Sequence, residues 1–153
     1  MSEDKKAKTV LIVAAGCGCL MLSLVIVAIV TIAIPNYLVM NLRSMRAELP
    51  ANLNGIRTAE LAYEAAFDTF IPASIYPAPL SKGSKEWISS SSGGFLILGW
   101  APDGDVRGAY WVETNANDFR ASAISDVDGD GVYATYVATK STNPTLVTAP
   151  DIY

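Results

Sequence analysis

Between Thr9 and Leu42 the chain carries no charged residue, and most positions are Leu, Ile, Val, Ala or Met. A helix needs about 20 apolar residues to cross a hydrocarbon core of about 30 Å. A run this long predicts a membrane-crossing helix with turns to spare, so only the residues after it can build a folded body. The whole chain has 153 residues, which leaves enough for one small core but not two. The organisation read from this is a cytoplasmic tip over residues 1–9, the transmembrane half of a helix over 10–41, and an exported head over 42–153. Lys5, Lys6 and Lys8 precede the apolar run and favour a cytoplasmic N-terminus in a single-pass arrangement. Arg43 and Arg46 flank its far end and pull the other way. With a basic tip and a net charge of −4, the head is acidic. Nucleic acid is therefore not an expected partner, because its binding rests on phosphate neutralisation. Membrane lipid is.

Other readings of the run are less economical. A cleavable signal peptide has an apolar region of only about 7–15 residues. Ala14-Ala15-Gly16-Cys17 fits a lipid-attachment site, but the run continues far beyond Cys17, which a lipid-anchored chain does not need. Cys17 and Cys19 are the only cysteines. They cannot staple the head, and on a helix residues two apart do not face each other. Small packing residues are the expectation for both, with palmitoylation or an intermolecular disulfide as alternatives.

The helical pattern continues into the head. Over residues 42–70, Leu42, Met45, Leu49, Leu53, Ile56, Tyr63, Phe67 and Phe70 recur at mostly helical spacing, and Leu49, Leu53, Ile56, Tyr63 and Phe67 are predicted as the face that packs on a sheet. Arg43, Arg46, Glu48, Arg57, Glu60, Glu64 and Asp68 are assigned to the other faces. Pro35, and Pro50 with Gly55, predict kinks or local melting; inside a membrane such breaks are tolerated. Residues 71–94, rich in Pro, Gly and Ser, read as an irregular loop. Four strand-like runs follow within 95–140, at 95–100, 106–114, 118–125 and 132–139, joined by short turns that imply antiparallel neighbours. The fold class is α+β: a long N-terminal α-helix, transmembrane and then amphipathic, packed on a four-stranded antiparallel sheet.

The segment Ile32-Ala33-Ile34-Pro35-Asn36-Tyr37-Leu38, continued by Arg43, Glu48, Asn52-Leu53, Ile56 and Thr58-Ala59, resembles the N-terminal helix of type IV pilins and of the pseudopilins of type II secretion. The segments Gly99-Trp100-Ala101-Pro102-Asp103-Gly104, Val106-Arg107-Gly108 and Ala134-Thr135-Tyr136 are similar to pilin-like proteins of Gram-negative bacteria. The resemblance implies a structural subunit of a helical pilus or pseudopilus filament. Such a subunit is a homo-oligomer, held in the bacterial inner membrane before assembly and found at the cell surface or in an extracellular filament afterwards. Pilus or secretion assembly proteins would be its other partners, and adhesion or motility the associated roles. Leu20, Leu22, Leu24, Val25 and Ile29, then Ile32, Ile34, Pro35, Tyr37 and Leu38, would anchor and assemble it. By the family's spacing, the cleavage glycine, the phenylalanine that follows it and the filament glutamate fall on Val13, Ala14 and Gly18. If no cut occurs, no buried amine is created and no carboxylate is needed to offset it.

One motif points to metal chemistry. Asp126, Asp128 and Asp130, with Gly131 at the sixth place, fit the first half of a calcium-binding EF-hand loop. The twelfth place, which requires glutamate, is Val137. A polar hairpin turn explains the same residues, so the expectation is either that turn or a weak Ca²⁺ site, with affinity on the order of 10⁻⁴ M. No other cofactor is expected. The chain has no histidine and its cysteines lie in the apolar run, so an enzyme is not expected. Trp87, Trp100 and Trp111, with Tyr110, Tyr133 and Tyr136, read as core and rim residues or as an aromatic binding face. The alternative to a filament subunit is a membrane-anchored, pilin-like binding module that never polymerises and is stabilised by calcium.

Overall fold

The computed structural model describes residues 3–78, 80 and 82–153, without the side chains of residues 3–5, 9–15, 17, 19 and 20. Readings made for Val13, Ala14, Cys17, Cys19, Leu20 and the first two residues lie outside the described set. The chain divides into two compact units, Met1–Asn41 and Leu42–Tyr153.

In the first unit the backbone is helical. Helix α1 spans Glu3–Ala28, a π-helical turn follows at Ile29–Ala33, and α2 begins at Ile34 and runs to Arg46. Proline at 35 has no N–H to give the carbonyl one turn back and its ring crowds that carbonyl. The wider π turn sits immediately before it, which is how a helix absorbs such a defect without stopping. Thr31 Oγ1 donates to the Val27 carbonyl at 2.7 Å within the same stretch.

The second unit is the α+β head. Helix α3, Glu48–Phe67, starts after a break at Ala47. Pro50 falls in its first turn, where a backbone N–H has no helical partner to lose. The break expected near Pro50 is therefore a clean restart of the helix. At the other end Asp68 takes a left-handed conformation, φ 56°, and its N–H donates to the Glu64 carbonyl at 2.7 Å. This is the αL stop more often made with glycine.

The sheet is antiparallel and has five strands in the order β1-β2-β3-β4-β5, not four. These are Ala73–Tyr76, Gly108–Thr114, Phe119–Ser125, Ala134–Thr139 and Thr145–Leu146. The additional strands come from residues read as loop (β1) and from beyond residue 140 (β5). The run at 95–100 is no strand: Gly94–Ile97 forms a short helix, α4. A short apolar run does not by itself distinguish strand from buried helix. Here the open edge of β2 is already filled by β1, and only Phe95 of the α4 residues is buried. The loop at 71–94 also holds a 3₁₀ turn at Ser89–Ser91 and a bridge between Lys85 and Val106.

Packing follows from side-chain size. Leu49, Leu53 and Ile56 of α3 are fully buried over Ala121, Ala123 and Ala138, whose small side chains allow the helix close to the sheet. Gly108 extends this approach, since a Cβ there would lie 3.1 Å from Leu49 Cδ1. At Gly55 a Cβ would come within 2.6 Å of the Trp100 indole nitrogen, so this glycine admits a tryptophan against the helix. Trp87, Phe95, Trp100 and Tyr110 then pack ring on ring, with centroids 5.3–6.3 Å apart, within or near the range of edge-to-face contacts.

Candidate functional site

Two surfaces, two buried charges and two polar clusters could carry function. The first surface is the apolar helix. Among the expected anchoring residues, Leu22, Leu24, Val25, Ile29, Ile32, Ile34, Tyr37 and Leu38 are between 48% and 68% exposed, and Pro35 is exposed too. One helical stretch, Met21–Phe67, is long and apolar enough to cross a membrane by length and composition. Apolar side chains exposed all round a helix are unfavourable in water and favourable in lipid or against other helices.

The second surface is the face of α3 toward the sheet. Leu49, Leu53 and Ile56 lie on it as expected, and Tyr63 is half-buried. Phe67 does not pack on the sheet. It is 64% exposed, and its ring stacks on Tyr63 at 4.5 Å. The reason is the αL turn at Asp68, which reverses the chain so that Phe70, outside the helix, fills the core against Phe119 at 5.2 Å.

The residue that continues the buried stripe is Glu60, which the sequence places on a polar face but which is fully buried. One carboxylate oxygen accepts the Ile71 N–H at 3.1 Å. The other finds no hydrogen-bond partner among the described residues. Burial disfavours the charged form and raises the Glu60 pKa to about 7, against a smaller opposing effect of the Ile71 hydrogen bond. Arg46 is a second buried charge taken from the expected polar faces. Its guanidinium donates to the carbonyls of Pro150, at 3.1 Å, and Ile152, and lies 5.0 Å from the Tyr153 ring centre. The spacing 49, 53, 56, 60 was the available signal for Glu60; its carboxylate chemistry masked it.

A further cluster ties the start of α3 to β2. Glu48 Oε1 accepts the Arg107 N–H at 2.9 Å and the Tyr110 hydroxyl at 3.1 Å, while Asn52 Nδ2 donates to that hydroxyl at 2.9 Å. Burial, and the nearby Glu48 charge, push the Tyr110 pKa well above its ordinary value. Tyr110 is thus a neutral structural phenol.

In the late loop, oxygens of Asp126, Asp128 and Asp130 lie within 4.8 Å of one another, close enough to share one hard cation. Much of their hydrogen-bonding capacity is turned inward. Asp126 accepts the N–H groups of Gly129, Asp130 and Gly131 at 2.7–3.1 Å, and Asp130 accepts that of Val132 at 2.7 Å. Such bonds are those of a self-capped polar turn. Asp128 Oδ1 has no hydrogen-bond partner among the described residues. If an ion bound here, these three carboxylates would be its protein ligands. Val127 N–H donates to the Tyr153 carbonyl at 3.2 Å, joining the loop to the last residues of the chain.

No family model, no curated protein and no solved structure matches this chain.

Proposed function

We propose that this chain is a pilin-like structural subunit, anchored in the bacterial inner membrane by its apolar helix and assembled through that helix into a filament. The observation that carries the reading is the apolar helix, exposed along its described residues, that precedes a small α+β head. Before assembly the exposed side chains sit in lipid. In a filament they exchange lipid contacts for van der Waals packing with copies of the same helix. A head-to-tail contact of this kind propagates as an open helix. The N-terminus lies in the cytoplasm and the head is exported, in line with Lys5, Lys6 and Lys8. The reading assigns the head no catalytic step.

Shear fractionation of cells, with mass spectrometry of the native N-terminus, tests this. The expected result is release of the chain in sheared filaments. Retention in the membrane fraction with Met1 or Ser2 intact would overturn the filament reading and favour an anchored module that never polymerises. That second reading is favoured by Val13, Ala14 and Gly18 standing where processing and assembly residues would be. In it, Asp126, Asp128 and Asp130 hold Ca²⁺ weakly. Calorimetry of the full chain in detergent is then expected to show calcium heat that Asp128→Ala abolishes; no heat from the unaltered chain retires the metal.

A further inference from the structure

The outer face of the sheet, opposite α3, carries an open groove of about 570 Å³ between β1 and β2. Its volume lies within the range of small-molecule sites, about 300–1,000 Å³. The strands diverge from regular pairing at this point. Ala73 pairs with Val112 and Tyr76 with Tyr110, so both Ser74 and Ile75 stand opposite the single residue Trp111. A bulge of this kind re-aims side chains and interrupts the ladder.

Trp111 differs from the other two tryptophans. Trp87 and Trp100 are committed to the aromatic core, whereas Trp111 makes no ring contact among the described residues and lines the groove with Ile75 and Pro72. Glu113, two residues along the same face, is exposed and has no hydrogen-bond or ion-pair partner among the described residues. Its cross-strand neighbour Arg120 is likewise exposed and unpartnered among them. The Ser74 hydroxyl completes the polar side.

We infer that this groove binds a neutral oligosaccharide. A pyranose ring offers a flat C–H face to an indole and a rim of hydroxyls that both donate and accept. Trp111 supplies the flat apolar surface, Glu113 an acceptor, and Ser74 a donor and acceptor. A cationic ligand is disfavoured because Arg120 sits directly across from Glu113. A purely apolar ligand would strand the carboxylate in the wall. The inference does not depend on whether the chain polymerises.

The test is calorimetric and fluorescence titration of the full chain with maltotetraose, chitotetraose and lactose. The detergent must lack a sugar headgroup, since a glycoside headgroup would compete. Saturable binding to at least one sugar is expected. It should weaken by about tenfold or more in Trp111→Ala, a loss the size of one stacking contact, and be largely kept in Trp111→Tyr. Glu113→Gln should weaken it too, and all three variants should unfold at the wild-type temperature, because none of these side chains belongs to the core. No saturable binding to any of the three sugars overturns the inference, as does binding that survives Trp111→Ala. Tryptophan emission that changes with protein concentration and not with sugar also overturns it, and makes the groove a contact between copies.

Discussion

Glu60→Gln is expected to flatten the pH dependence of the head's stability and to raise stability at pH 8 by up to about 3 kcal/mol. Glu60 is fully buried with one oxygen unpartnered, and its pKa is raised to about 7 from 4.5. The sign follows from proton binding. Between those two values the folded state holds a proton that the unfolded state has released, so stability falls as pH rises. Below about pH 4.5 both states are protonated and the full stability is present; it is lost as pH climbs through about 7. Glutamine stays neutral throughout and keeps an acceptor for the Ile71 N–H. Denaturant unfolding of wild type and variant at pH 4.5, 6 and 8 checks this. Parallel profiles would mean that Glu60 ionises in the folded state as easily as in water.

Gly94→Ala is expected to cost about 3 kcal/mol or more, at the upper end of overpacking effects. A Cβ at this position would lie 2.2 Å from the Pro72 carbonyl oxygen and 2.9 Å from Ala73 Cα. Both neighbours are backbone, so no side-chain rotation relieves the contact, and either α4 or β1 must move. Because β1 forms one wall of the sheet, its displacement also loosens the Ala73–Val112 pairing. Gly83→Ala is the control. No atom of the described residues lies within 4 Å of a Cβ there, so its effect should stay within about 0.5 kcal/mol. Thermal unfolding of the two variants side by side separates a local clash from a general intolerance of alanine in this loop.

Both predictions arise where the fold departs from what the residue pattern implies. The stripe Leu49, Leu53, Ile56 was legible because apolar residues at steps of four and three have one physical explanation, a helix face in a core. Its continuation at Glu60 was not. A carboxylate is normally solvated, and only the return of the chain through Ile71 supplies the amide that makes its burial tolerable. Phe67 shows the converse: its spacing suits the buried face, but the left-handed turn at Asp68 hands that place to Phe70. Likewise the apolar residues at 95–100 have strand composition. They form a helical turn because pairing is a contest for an edge, and Ala73–Tyr76 occupies it.

Local chemistry alone was enough to define the charge-free helix, the amphipathic stripe, the polar turn at 126–131 and the antiparallel order of the central strands. Each depends on residues a few positions apart, whose interactions are present before the chain closes on itself. Tertiary structure decided the count of strands, the burial of Glu60 and Arg46, and the groove beside Trp111. Those depend on segments far apart in the chain meeting: Ile71 with Glu60, Pro150 with Arg46, and Ser74 with Trp111. No periodicity in one segment encodes which distant backbone will arrive beside it.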